Sequence, residues 1–100
     1  MMRRVTRAAT RRVRARTVTV VNQRGLHARA AARFVKLAEQ FDAEVTVRRD
    51  ATTVSGRSIM GLMMLAAGPG CALELRASGR DARDALEALG RLIAGRFDED

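Results

Sequence analysis

Two segments of this chain carry a single apolar stripe at helical spacing, and this feature limits the folds open to it. The first begins near Ala28 and has its stripe at Ala31, Phe34, Val35, Ala38 and Phe41. The second begins near Ala82 and has its stripe at Ala82, Ala85, Leu86, Leu89, Leu92, Ile93 and Phe97. A helix with one apolar face is covered on one side only, so both helices should lie on the same layer of other elements.

The remaining apolar residues mostly alternate with polar ones, which is typical of strands. Four segments show this pattern, at residues 17–21, 44–48, 52–54 and 71–77. A short helix from an N-cap at Ser58 to about Leu65 separates the third from the fourth. The order β-α-β-β-α-β-α predicts an α+β fold. We expect an open-faced β-sandwich, with a four-stranded, mostly antiparallel sheet covered on one face by three helices.

The formal charge of +8 is concentrated at the start of the chain. Residues 1–16 hold seven arginines and no acidic residue, whereas residues 17–100 hold twelve basic and eleven acidic side chains. We therefore predict a basic, disordered leader at residues 1–16 and a folded domain at residues 17–100. Upstream sequence from a misplaced start codon, an arm for nucleic acid or an anionic membrane, and a transit peptide are alternatives for the leader. Because the folded part is nearly neutral, we expect no nucleic-acid partner.

Histidine and cysteine are scarce in this chain, and their scarcity excludes several kinds of site. One histidine and one cysteine, Cys71, form neither a zinc ligand set nor an intramolecular disulfide. The glycine-rich phosphate loops of nucleotide-dependent enzymes are absent, and no apolar run reaches the roughly 18 residues that span a bilayer. We expect a cytoplasmic monomer with no metal, no cofactor and no membrane insertion.

The only histidine lies in Gly25-Leu26-His27-Ala28-Arg29, at the predicted boundary between a strand and a helix. Glycine permits a sharp turn there, and the first backbone N–H groups of the helix favour an anion. A neutral imidazole at this place can attack phosphorus, and Arg29 can neutralise the charge that is added. The residues alone leave open that His27 only caps the helix and that Arg29 is a solvated surface charge.

The predicted short helix is apolar nearly all round, at Ile59, Met60, Leu62, Met63, Met64 and Leu65. So short a helix is not buried on every side in a small domain, and exposed Met-rich patches often bind partners. We expect Leu62 and Leu65 to lie in the core. For Met60 and Met63, core and interface both stay open.

The chain contains two motifs in register, Gly-Leu-His-Ala-Arg at 25–29 and Val-Ser-Gly-Arg-Ser-Ile-Met-Gly-Leu-Met at 54–63. Together they resemble the HPr family, the histidine-containing phosphocarriers of the bacterial phosphoenolpyruvate phosphotransferase system. Ser78-Gly79 and the stripe that follows continue the resemblance, which covers about residues 17–95. It implies the fold predicted above and a carrier without turnover of its own.

The resemblance also implies roles for single residues. His27 would accept a phosphoryl group on Nδ1 from phosphorylated enzyme I and pass it to an enzyme IIA-type protein, with Arg29 binding the phosphoryl oxygens. Ser58 matches the serine that HPr kinase/phosphorylase modifies with ATP, and phosphate there should impede docking. The apolar patch that docks both partners is matched by Ile59, Met60 and Met63.

Ala30 is a departure, because many members of the family have proline there. Alanine at this position resembles the nitrogen-related branch, whose end acceptor is a regulatory IIA protein. Two other functions stay open: an HPr-like regulatory module that acts mainly through Ser58 phosphorylation, and a small basic nucleic-acid-binding domain. Intact His27 and Arg29 argue against the first. The nearly neutral residues 17–100 and the absence of Tyr and Trp argue against the second.

Overall fold

The computed structural model describes residues 12–99, which form four strands and three helices in the predicted order. The strands are β1 (Val13–Thr19), β2 (Glu44–Arg49), β3 (Thr52–Ser55) and β4 (Ala72–Ser78). The helices are α1 (Ala28–Ala38), α2 (Ile59–Met64) and α3 (Ala82–Ala94), and a single short turn, Arg96–Asp98, follows α3. The β-α-β-β-α-β-α order is confirmed.

The four strands form one sheet in the order β1-β4-β2-β3, with every neighbouring pair antiparallel. Alternate residues of the two central strands are buried, and the residues between them are not. The buried set is Val45, Val47, Leu73, Leu75 and Ala77. Because successive side chains in a strand point to opposite faces, this alternation covers one face of the sheet and leaves the other open. The open-faced α+β prediction is confirmed.

Strand β1 begins four residues before the predicted start, so the boundary drawn at residue 16 is wrong. β4 is seven residues long and pairs Val13 with Ser78 and Arg16 with Leu75, which gives the end of the predicted leader a strand partner. The guanidinium of Arg16 lies over the buried Gly90 of α3, 3.0 Å from where a Cβ of that residue would be. Residues 13–16 are therefore strand. Arg12 is exposed and precedes the strand, and the rest of the predicted leader, residues 1–11, lies outside the described residues.

Both predicted apolar stripes face the core, although Leu92 and Phe41 are only partly buried against it and Phe41 lies beyond the end of α1. In α1 the buried residues include Ala31, Phe34, Val35 and Ala38, and in α3 they include Ala85, Leu86, Leu89 and Ile93. The stripe of α3 does not continue to Phe97 as a helix, because α3 ends at Ala94. Phe97 is nevertheless fully buried, in a turn whose residues Arg96, Phe97 and Asp98 all have positive φ (62°, 55° and 63°). This left-handed turn directs the end of the chain back toward α1.

Candidate functional site

The loop before α1 is held against the loop after α2. Gly25 has a φ of +65°, and a Cβ on it would lie 2.3 Å from the carbonyl oxygen of Ala67. The next residue, Leu26, is buried and donates its N–H to that same oxygen at 2.9 Å. Only glycine combines this backbone angle with so close an approach. The contact therefore fixes where the chain enters α1.

His27 is the N-cap residue of α1, but its side chain makes no capping hydrogen bond. The alternative that the imidazole only caps the helix is therefore wrong. The backbone carbonyl of His27 accepts from the N–H of Ala31 at 2.9 Å, which starts the helix. The first turn of α1 contains no acidic residue, so the helix itself supplies no negative charge to its free N–H groups or to the positive end of its dipole.

Arg29 lies on the first turn of α1 and is exposed. With Arg24 and Arg33 it lines a cavity of about 410 Å³, whose other lining residues are Gln23, Asp98 and Glu99. Three guanidinium groups against two carboxylates leave an excess of positive charge in this cavity, which favours an anion with several oxygens. The structure thus brings His27 and Arg29 together at one end of α1, as the sequence predicts.

The imidazole of His27 contacts a carboxylate that sequence analysis missed. Its Nε2 contacts Oε2 of Glu99, and the two side chains are 18% and 15% exposed. Oε1 of Glu99 accepts a hydrogen bond from Nδ2 of Asn22 at 3.0 Å. Partial burial raises the pKa of Glu99, but the hydrogen bonds from His27 and Asn22 and the charges of His27 and Arg24 outweigh it, so the pKa lies below its usual value.

The signal for this contact was Phe97. An apolar side chain just beyond the end of an amphipathic helix needs burial, and burying it draws the chain end onto the core. Phe97 is fully buried, and Arg33 of α1 donates to its carbonyl oxygen.

Ser58 is the N-cap of α2, as predicted, and its Oγ accepts a hydrogen bond from the N–H of Gly61 at 2.8 Å. It is partly buried and does not line the cavity beside His27. α1 and α2 pack against each other. Ser58 and His27 therefore lie at the starts of two neighbouring helices rather than in one site.

The apolar side chains of α2 and of the residues just after it fall into a buried set and an exposed set, as expected for a short helix that contacts the core on one side. Leu62 and the following Leu65 are buried at 0% and 4% exposure, as predicted. Large exposed fractions are found for Ile59 (42%), Met60 (70%), Met63 (43%) and Met64 (74%). We call these four residues the α2 patch. Met60 and Met63 are thus surface residues, and Met64 extends the predicted patch.

Two further features are absent from the described part of the chain. Residues 12–99 contain no group of three or more His, Cys, Asp or Glu side chains placed to hold a metal ion. No helix among them is long and apolar enough to cross a membrane.

Comparisons with known proteins match this chain to one family. The sequence family described as "PTS HPr component phosphorylation site" matches residues 14–95. Phosphocarrier protein HPr of Neisseria meningitidis serogroup A is 47% identical over 83 residues, which is 83% of this chain and 93% of the relative. Phosphocarrier protein NPr of Shewanella violacea is 44% identical over 84% of this chain and 92% of the relative.

A solved structure has the same fold. HPr-C-His from Thermoanaerobacter tengcongensis superposes with a TM-score of 0.83 at 39% identity, covering 87% of this chain and 98% of that one. The match extends over nearly the whole described chain and includes both helix starts. The chain belongs to the HPr family, the non-enzymatic phosphocarrier proteins of the phosphotransferase system.

Proposed function

We propose that this protein accepts a phosphoryl group from phosphorylated enzyme I on Nδ1 of His27 and passes it to an enzyme IIA-type protein. The observation that carries the proposal is the placement of His27. Its imidazole lies at the start of α1 without capping it, beside a cavity lined by three arginines. A nucleophile there receives the phosphoryl group where backbone N–H groups and guanidinium groups can hold its oxygens.

The transfer is reversible and needs no metal-ligand set of the carrier's own. The lone pair of Nδ1 forms the N–P bond while the bond from phosphorus to the donor breaks, and the donor keeps that electron pair. In onward transfer the N–P bond breaks and its electron pair returns to Nδ1. Arg29 stabilises the added negative charge at both stages by charge-assisted hydrogen bonds.

Incubation with phosphoenolpyruvate and enzyme I, followed by intact mass and an acid-lability assay, tests the relay. We expect one acid-labile phosphoryl group on the wild type and none on His27→Ala. An unlabelled wild type, or equal labelling of His27→Ala, would contradict the proposal.

The docking surface for both partners is proposed to be the α2 patch. Met60 and Met64 are the most exposed large apolar side chains among the described residues, and such side chains are usually covered in a complex. Methionine is flexible, which suits a surface that must fit a donor and an acceptor of different shape.

Ser58 is proposed as a second, regulatory phosphorylation site for HPr kinase/phosphorylase. Phosphate on its Oγ would lie at the start of α2, where the helix dipole tolerates it, so the fold should survive. The added charge of about −1.5 to −2 would lie on the residue next to Ile59, at the edge of the α2 patch, and would oppose docking of an apolar partner surface there. Incubation with the kinase and ATP should give acid-stable phosphate on the wild type. Its persistence in Ser58→Ala would refute the assignment.

We also propose a cytoplasmic carrier of the nitrogen-related branch, with a regulatory IIA protein as the end acceptor. The support is the resemblance of Ala30 to members of that branch, since many other family members have proline there, which stiffens the first turn of a helix. Transfer rates to nitrogen-type and sugar-type IIA proteins, compared side by side, test it. A faster rate to the sugar-type protein would overturn the assignment. The monomeric state stays a prediction.

A further inference from the structure

We propose that Glu99 is a positioning residue for His27, which holds the imidazole in the tautomer whose Nδ1 is the nucleophile. The inference deepens the proposed relay and rests on it. It starts from the contact between Oε2 of Glu99 and Nε2 of His27, two residues separated by 72 positions in the chain.

The contact decides which ring nitrogen carries the proton. An ionised carboxylate only accepts hydrogen bonds, so Nε2 of a neutral His27 must be the donor. The single proton of the neutral ring is then on Nε2, and Nδ1 keeps its lone pair. In other imidazole sites a carboxylate partner on one nitrogen likewise sets the tautomer and orients the ring for work at the other nitrogen.

Glu99 is itself held in place by a buried amide. Asn22 is 2% exposed, and its Nδ2 donates to the carbonyl oxygen of Gly25 at 2.9 Å and to Oε1 of Glu99 at 3.0 Å. Rotating the amide by 180° would place its oxygen against two acceptors, so this orientation is the one that satisfies them. Its Oδ1 has no hydrogen-bond partner among residues 12–99. A buried amide oxygen without a partner is unfavourable. The presence of Asn22 here therefore points to a requirement for the two hydrogen bonds that its Nδ2 donates.

The chain end is also anchored from the other side. Phe97 is fully buried, Arg33 donates to its carbonyl oxygen, and the left-handed turn Arg96–Asp98 places Glu99 beside the ring. Three consecutive residues other than glycine with positive φ persist only where surrounding contacts require them. Asn22 and Phe97 therefore fix the carboxylate from opposite ends.

The proton on Nε2 stays there through the transfer. When Nδ1 attacks phosphorus, the N–P bond forms, the bond to the donor breaks, and the ring becomes a phosphoimidazolium with its proton still on Nε2. Glu99 then faces the positive charge that the ring has gained. When the N–P bond breaks in onward transfer, the pair returns to Nδ1 and the ring is neutral again. No proton has to be exchanged with solvent in either direction.

Replacement of Glu99 by glutamine gives a specific expectation. Asn22 donates toward the Oε1 position, so the amide oxygen of the glutamine takes that place and its NH₂ group faces His27. An NH₂ group requires an acceptor, which favours the ring with its proton on Nδ1 and removes the nucleophile. In Glu99→Ala, Nε2 is open to solvent and both tautomers are accessible. Glu99→Gln should therefore be more impaired than Glu99→Ala, an order that loss of packing alone would not produce.

The test combines ring ¹⁵N spectra with transfer rates for the wild type, Glu99→Gln, Glu99→Ala and the control Glu87→Gln. The control makes the same substitution at an exposed residue of α3 that does not line the cavity and whose side chain makes no hydrogen bond or ion pair within residues 12–99. We expect protonated Nε2 in the wild type and in Glu87→Gln, and a shift toward protonated Nδ1 in Glu99→Gln. The transfer rate from phosphorylated enzyme I should fall about 10–100-fold in Glu99→Gln and less in Glu99→Ala.

Several results would overturn the proposal. They are a wild-type ring protonated on Nδ1, an unchanged spectrum or rate in Glu99→Gln, a faster rate in Glu99→Gln, or equal losses in Glu99→Gln and Glu87→Gln. A wild type that takes no phosphoryl group from enzyme I would overturn the relay and the role of Glu99 together. Normal wild-type labelling with an unaffected Glu99→Gln would overturn the role of Glu99 alone.

Discussion

Gly25 is the position where one added methyl group should most disturb the loop that carries His27. At its φ of +65° an alanine pays a steric penalty of about 1–2 kcal/mol, because its Cβ crowds the backbone. That Cβ would also lie 2.3 Å from the carbonyl oxygen of Ala67, a distance that forces the two loops apart. The separation breaks the Leu26 N–H to Ala67 hydrogen bond, which contributes about 1 kcal/mol. Gly25→Ala should therefore destabilise the protein by about 2–3 kcal/mol.

Two other glycines separate the backbone penalty from the effect of the contact with Ala67. Gly70 has a φ of +90° with nothing within 4 Å of an added Cβ, so Gly70→Ala carries the backbone penalty alone. Gly68 has neither a positive φ nor a close neighbour, so Gly68→Ala should be nearly neutral. The expected order of destabilisation is Gly25→Ala, then Gly70→Ala, then Gly68→Ala.

Urea unfolding and thermal melting measure the series. For a domain of this size 2–3 kcal/mol lowers Tm by about 10–20 °C. The transfer rate from enzyme I, measured well below Tm, should also fall in Gly25→Ala and stay unchanged in the other two. If Gly25→Ala loses no more stability than Gly70→Ala, the contact with Ala67 does not constrain the loop and the reasoning fails.

Three further predictions concern the α2 patch, the chain end and β1. Met60→Glu should lower the transfer rate, measured at a low concentration of phosphorylated enzyme I, by about 10-fold or more. The control Thr53→Glu, at an exposed residue of β3, should leave that rate within about 2-fold. Equal effects would exclude the α2 patch as the docking surface. Because the folded-state pKa of Glu99 is lowered, its contribution to stability is full above the ordinary carboxyl value of 4.5 and is lost as pH falls through the folded pKa. In urea unfolding the advantage of the wild type over Glu99→Gln should therefore disappear as pH falls through the folded pKa, and an advantage that persists at the acid end of the range would contradict this. Gly90→Ala should stabilise by about 1 kcal/mol in an Arg16→Ala background and by less with Arg16 present, since the added Cβ meets the guanidinium at 3.0 Å. Additivity in that double-mutant cycle would contradict the packing of Arg16 on α3.

Features that depend on a few neighbouring residues were predictable. The stripe of α1, the N-cap at Ser58 and the alternation of β2 and β4 are local patterns, and the structure has them within a few residues of the predicted limits. The candidate site was predictable for the same reason. His27 and Arg29 are two residues apart at a helix start, so local geometry alone brings them together.

Features that depend on a distant partner were not. β1 was predicted too short because Arg14 and Arg16 stand in the same alternation as the apolar Val18, so the apolar pattern of the predicted strand does not extend back to them. These residues pair only because β4 is long enough to receive them. Composition likewise left Met60 undecided, because its exposure depends on which side of α2 meets the core.

Sequence alone determined the helices, the alternating strands and the imidazole at a helix start, because hydrophobic period and capping are encoded over a few residues. The tertiary structure decided what lies against that imidazole. Phe97 is buried only in the assembled core, the left-handed turn follows from that burial, and the turn is what brings Glu99 to His27. A contact across 72 residues depends on packing that no local pattern carries.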